Sequence, residues 1–181
     1  GLAFHFSSGI LSQSSSSHIE KYKMPNASPS FFDDSALDTI AKILDSQIDI
    51  TAQELVVESA LAAKGLATAR RTTVFHAVRA PSISVRSYLQ RIMKYTNCST
   101  DQLVLSLIYI DKLTQKSHNH VITDLTVHRL LITAVVLASK FASDFFYSNK
   151  FYAKIGGVTL KELNALEREF LYLLDFSLSI T

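Results

Sequence analysis

The sequence predicts an all-α fold. Three observations carry that reading. Only 5 Gly and 3 Pro occur in 181 residues, too few turn-formers for a many-stranded sandwich or barrel. Helix-start signatures recur, a Ser or Thr followed three residues later by Glu or Gln: Thr51 with Glu54, Ser99 with Gln102, Thr159 with Glu162. Alternating strand patterns and Asn-Gly hairpin signals are missing.

Residues 1–30 read as a disordered or vector-derived tail. They contain the run Ser14 to Ser17, have no hydrophobic period and end in Pro25 and Pro29, with Met24 a candidate natural start. A short helix is expected over 34–46, with Ala36, Leu37, Ile40, Ile43 and Leu44 on one side. Thr51 and Glu54 read as a capping box that opens a second helix, to about residue 69. Pro81 breaks the chain. A helix over about 83–96 follows, with Ile83, Tyr88, Leu89, Ile92 and Tyr95 as its apolar positions. Ser99 starts the next, to about 116, apolar nearly all round from Leu103 to Ile110 and so expected to be enclosed. Thr123 and Asp124 open another, to about 142, apolar on most sides from Leu130 to Ala142. A short helix near 148–155 stops at Gly156-Gly157, and the Thr159 box opens a last helix to about 174. The architecture expected is two nearly all-apolar helices inside a ring of amphipathic ones.

Composition narrows the setting. Apolar residues are 48% and charged residues 19%, the balance of a folded chain rather than a disordered one. One cysteine, Cys98, excludes an intrachain disulfide and a thiolate zinc cluster, and points to an intracellular, reducing compartment, nucleus or cytoplasm. The longest apolar runs, 103–110 and 130–139, fall short of the ~20 residues a membrane span needs, so no membrane partner is expected. No secretory signal pattern precedes Lys21. Charge is uneven. Residues 59–100 hold seven bases (Lys64, Arg70, Arg71, Arg79, Arg86, Arg91, Lys94) and no acid. Such a band is either a solvated face or a surface for an acidic, phosphorylated or nucleic-acid partner.

Signatures of catalysis are missing. The chain has no phosphate-cradling glycine loop, no nucleophile elbow and no His-Glu-x-x-His. His118, His120 and His128 lack a carboxylate-rich partner set and read as surface histidines, so neither a metal nor a cofactor is expected. Glu167 and Glu169, two apart on a helix, point in different directions. Two charges do look out of place. Lys140 is the only charge between Arg129 and Asp144, and Glu167 lies among Leu163, Phe170 and Leu171. A charge leaving water costs several kcal/mol unless paired. Either the two approach each other at the rim of the core or at an interface, or Lys140 snorkels outward and Glu167 is simply exposed.

Residues 80–178 resemble the cyclin box, and specifically the P/U-type cyclins related to the yeast phosphate-pathway cyclin and found also in plants and protozoa. The stretches that carry the resemblance are PSISVRSYLQRIMKYTNCS (81–99), IYIDKLTQ (108–115), VHRLLITAVVLASKF (127–141) and YSNKFYAKIGGVTLKELNALEREFLYLLDFSL (147–178). The resemblance implies a single five-helix cyclin box at 80–181, preceded by additional N-terminal helices in an extension at 31–79. It implies a heterodimer with a cyclin-dependent serine/threonine kinase, which the chain activates without doing chemistry itself, in cell-cycle or phosphate and nutrient signalling. The family's kinase-contacting Lys and Glu fall on Lys140 and Glu167, and its aromatic interface positions on Phe141 and Phe176. Both aromatics read equally as core or as interface.

The chain also departs from the family's mitotic members. Their substrate-docking patch aligns with Pro81-Ser82-Ile83-Ser84-Val85, their following Trp with Tyr88, and the acid pair of close relatives with Ser143-Asp144. Docking of arginine-x-leucine peptides is therefore not expected. Two rivals follow from the residues. One is a cyclin-fold transcription or nucleic-acid adaptor using the 59–100 band, although nucleic acid is not the expected partner. The other is a small helical enzyme, which would show a deep polar pocket with shifted ionisable groups.

Overall fold

The computed structural model describes residues 34–68 and 70–180. The expected tail, residues 1–30, lies outside them. Among the described residues six helices follow in order: α1 (Asp34–Ala63), α2 (Val85–Thr96), α3 (Thr100–Lys116), α4 (Val127–Ala142), α5 (Asn149–Gly156) and α6 (Leu160–Leu173). They contain no strand. The fold is all-α, with α2 to α6 supplying the five helices expected of the box.

Three starts follow the sequence. Ser84 caps α2 by accepting from Ser87 N. Ser99 and Gln102 form the reciprocal capping box of α3, at 3.2 and 3.0 Å. Thr159 accepts from Glu162 N at 3.1 Å. Gly157, at φ 72, ends α5 in the left-handed conformation that glycine takes without a Cβ penalty.

Other boundaries differ from expectation. The two N-terminal helices are one, α1. Thr51 does not cap: its hydroxyl donates to Gln47 O at 2.8 Å from inside the helix, and its side chain is buried beside the Ile48 face. A Thr-x-x-Glu spacing is the same on paper for a cap and for a back-bonded threonine. α1 also stops short of residue 69. Gly65 turns left-handed and Leu66 N reaches back to Leu61 O at 2.9 Å. Helix α4 starts three residues later than Thr123-Asp124 suggests. Thr126 Oγ1 instead knots the entry turn, accepting from Thr123 N and donating to Val121 O at 2.6 Å.

One helix is central, not two. From Leu130 to Ser139 every residue of α4 is buried. Helix α3 is enclosed on one side only, since Val104 is exposed and Leu107 partly so. Around α4 the core closes on Leu89, Ile92, Leu103, Leu113, Leu163, Leu166 and Phe170. Phe75 plugs the core from the α1–α2 connection, edge-on to Phe170 at 5.7 Å between centroids. Close approach sets α5 against α4. A Cβ at Gly156 would lie 2.7 Å from Ile132 Cγ1, so only glycine fits. Two of the three histidines read as surface residues are not. His120 is buried against Phe75, and His128 is half-buried with Nε2 2.9 Å from Ile83 O. Burial lowers the pKa of both, so each stands as neutral imidazole near pH 7.

Candidate functional site

Helices α4 and α6 are tied at two places. Near the start of α4, Arg129 meets Glu162 at 2.6 Å. Near its end, Lys140 Nζ donates to Glu167 Oε1 at 2.6 Å. Both pairs run in the same chain sense, so α4 and α6 bring their C-terminal ends to one end of the bundle.

The Lys140–Glu167 pair decides between the two readings of those charges. Neither side chain is simply solvated: they are 30% and 14% exposed. The carboxylate is satisfied on both oxygens, because Asn149 Nδ2, from the first residue of α5, donates to Glu167 Oε2 at 2.7 Å. The same amide reaches Asn164 Oδ1 at 2.8 Å. Three helices therefore hold one carboxylate in a fixed pose. Lys140 uses one of its three N–H bonds on Glu167, and among the described residues has no other acceptor.

Several aromatic residues in the neighbouring sequence are exposed. Phe141, directly after Lys140, is 52% exposed, and Phe176, three residues beyond α6, is 67% exposed. For both, the core reading is wrong. Phe145, Phe146 and Tyr172 are exposed as well. Exposed large apolar residues of this kind lie at the end of α4, between α4 and α5, and at and beyond the end of α6. Phe176 is held outward by the backbone. Asp175 and Phe176 both take left-handed φ, 52 and 56. Phe176 N bonds Leu171 O at 2.9 Å, and the tail then returns to α3 where Tyr109 donates to Leu178 O at 2.9 Å. Left-handed backbone at a non-glycine costs about 1–2 kcal/mol each, retained here because both flanks are tied down.

Sequence reading missed Asn149, Phe145 and Phe146. Asn149 carried no local signal, as its partner lies eighteen residues on. The Phe145-Phe146 pair stood in plain view, two large apolar residues in a helix-free segment next to Lys140.

Elsewhere several titratable groups are tied to partners within the chain. The Cys98 thiol is buried and pushed up to about 12, so it stays protonated. In the basic 59–100 band, Arg70 bonds Glu58 at 2.7 Å, Arg86 pairs with Asp38 and Arg91 donates to Ile155 O. Among the described residues no helix is long and apolar enough to cross a membrane.

A model of the cyclin family matches residues 34–178, which takes in α1 as well as the five box helices. The chain is 44% identical over 129 residues to Cyclin-U4-1 of Arabidopsis thaliana, covering 71% of this chain and 64% of that one. It is 49% identical over 107 residues to Cyclin-U1-1 of the same plant, 59% and 51% of the two chains. It is 48% identical over 109 residues to Cyclin-P3-1 of Oryza sativa subsp. japonica, 60% and 46%. The matches thus span about half to two thirds of the length of these curated relatives. With the family match across six helices and relatives of both the U and P types, the chain belongs to the cyclin family and is a P/U-type cyclin.

Proposed function

We propose that this chain is the regulatory subunit of a cyclin-dependent serine/threonine kinase, which it binds and activates inside the cell, in cell-cycle or phosphate and nutrient signalling. Lys140, Glu167, Phe141 and Phe176 form the docking face. The observation that carries the reading is the half-buried Lys140–Glu167 pair, 2.6 Å apart, with Phe141 directly after Lys140 in the chain and exposed. Phe141 and Phe176 supply aromatic anchors, and the spare N–H bonds of Lys140 supply donors for carbonyl groups of the partner.

The mechanism is a population shift. A kinase of this kind is active when its C-helix Glu pairs with the ATP-site Lys and its activation loop is ordered. A surface that binds the inward C-helix more tightly than the outward one moves the equilibrium by that difference in affinity. What this chain contributes is stiffness. Asn149 and Lys140 fix Glu167 before any partner arrives, so little ordering cost remains for binding.

Adding the purified chain to a monomeric cyclin-dependent kinase should raise its phosphotransfer rate on a peptide substrate, and the two should co-elute. Failure to activate any member of a panel of such kinases would overturn the proposal. The nucleic-acid reading loses support from two arginines of the basic band, Arg70 and Arg86, whose charges are paired with Glu58 and Asp38 within the chain. Binding to DNA or RNA that weakens steeply with salt would restore it.

A further inference from the structure

A second feature lies away from the docking face, at the start of α4. A cavity of about 190 Å³ opens between the segment before α2, the first turn of α4 and the Gly156–Val158 corner. Its polar lining is Tyr88, Arg91, His128 and Arg129, and no carboxylate lines it. Three carbonyls at its wall are already used, and His128 Nδ1 is left without a partner. Gly156 O takes the Tyr88 hydroxyl at 3.0 Å, Ile155 O takes Arg91 Nη2, and Ile83 O faces His128 Nε2 at 2.9 Å.

Donors remain. Arg91 spends only Nη2, leaving Nε and Nη1. Arg129 spends Nε and Nη2 on Glu162, leaving Nη1. None of these three N–H groups is among the buried atoms that lack partners, so they open to space rather than being sealed off. Gly157 lies beside Arg91, where a Cβ would make only ordinary contact with Nη2 at 3.6 Å. The walls also come from the starts of three helices. Ile83 precedes α2, His128 and Arg129 lie in the first turn of α4, and Val158 precedes α6. The C-terminal end of α5 lines it too, through Gly156 and Gly157, so the helix ends contribute potential of both signs and the positive charge is that of the two guanidiniums.

We propose that this cavity is a binding site for a phosphate-type oxyanion, either free orthophosphate or the phosphate of a phosphorylated residue, held by Arg91 and Arg129. Guanidinium groups suit this chemistry because they stay charged and present several donors in fixed directions. Glu162 offsets part of the Arg129 charge without occupying Nη1, so Arg91 is the main holder. His128 packs edge-on against Tyr88 at 4.7 Å and serves as wall, not as a charge. Eleven residues of helix, roughly 16 Å at the helical rise, separate Arg129 from Lys140. The site therefore stays open when a partner covers the other end of α4.

NMR of the full chain, following the Arg Nε–H resonances, tests this with two probes: inorganic phosphate and N-acetyl-phosphoserine amide. Saturable shifts of Arg91 and Arg129 with inorganic phosphate assign the site to the free anion. Saturation by the phosphoserine amide alone assigns it to phosphorylated protein. Arg91→Lys should weaken either binding by about tenfold or more, the loss of a charge-assisted bond. Arg79→Gln, in the same basic band but outside the cavity, should leave it unchanged. Shifts by neither probe beyond those of chloride at matched ionic strength, or equal weakening by Arg79→Gln, would overturn the proposal.

Discussion

Helix α4 is stapled to α6 by one ion pair near each end, and the two pairs differ in what surrounds them. Arg129–Glu162, at 2.6 Å, sits among Pro81, Ile83 and the Gly156-Gly157 corner, with no exposed aromatic beside it. Lys140–Glu167, also at 2.6 Å, has exposed Phe141 directly after Lys140, and exposed Phe176 follows the end of α6. Geometry alone does not separate a structural staple from a docking pair. On the proposed docking reading the difference lies in the apolar surface left uncovered near the charge, since an interface is marked by desolvated anchors and not by ion pairs as such.

Breaking each pair in turn should show the contrast. Lys140→Ala and Glu167→Ala should each cost about 2–5 kcal/mol of kinase affinity by leaving the other charge unpaired at a covered interface. Titration calorimetry with the activated kinase measures this. Both should cost less in folding stability, because in the free chain Lys140 left alone can turn to water and Glu167 left alone keeps the bond from Asn149. Arg129→Ala should do the reverse, losing about 1–3 kcal/mol of stability in urea unfolding while the kinase affinity holds. Equal loss of affinity at both ends would erase the distinction.

Gly156→Ala probes the packing between the two ends. With Ile132 fully buried, the added methyl has nowhere to go, and unfolding should show a loss of about 1–3 kcal/mol. Phe176→Gly separates the two roles within one residue. It relieves a left-handed φ and should raise stability by up to about 1 kcal/mol, while weakening kinase binding by at least about 1 kcal/mol. A variant that lowers both would return Phe176 to the core reading.

The smallest effect concerns pH. His120 and His128 have folded pKa values lowered by burial, so the unfolded chain binds more protons than the folded one below about pH 6.5. Their contribution to stability is present above that pH and is lost as pH falls toward the folded values. Melting temperature should decline on acidification, and His120→Gln should flatten the decline. A slope unchanged in that variant would mean His120 titrates as a solvated group.

How much of this was legible in the sequence varied with range. Local signals held where partners lie within four residues. The Ser99–Gln102 box acts as read and Gly157 stops α5, while of the Thr159–Glu162 box only the Thr159 half forms, the Glu162 carboxylate going to Arg129. Thr51–Glu54 misled because the same spacing serves a threonine bonded back to Gln47. Burial of Ile48 and Thr51 is a tertiary fact, which lets α1 run through. The Lys140–Glu167 pairing could be suspected from two misplaced charges, since burial penalises each alone. Asn149 could not, because its role exists only once α5 packs against α6.

The most direct measurement is a double-mutant cycle on kinase affinity with Lys140→Ala, Glu167→Ala and the double variant. If the pair docks as a unit, each single loses about 2–5 kcal/mol and the double loses far less than their sum. Wild-type affinity in all three variants, with each correctly folded, would contradict the account.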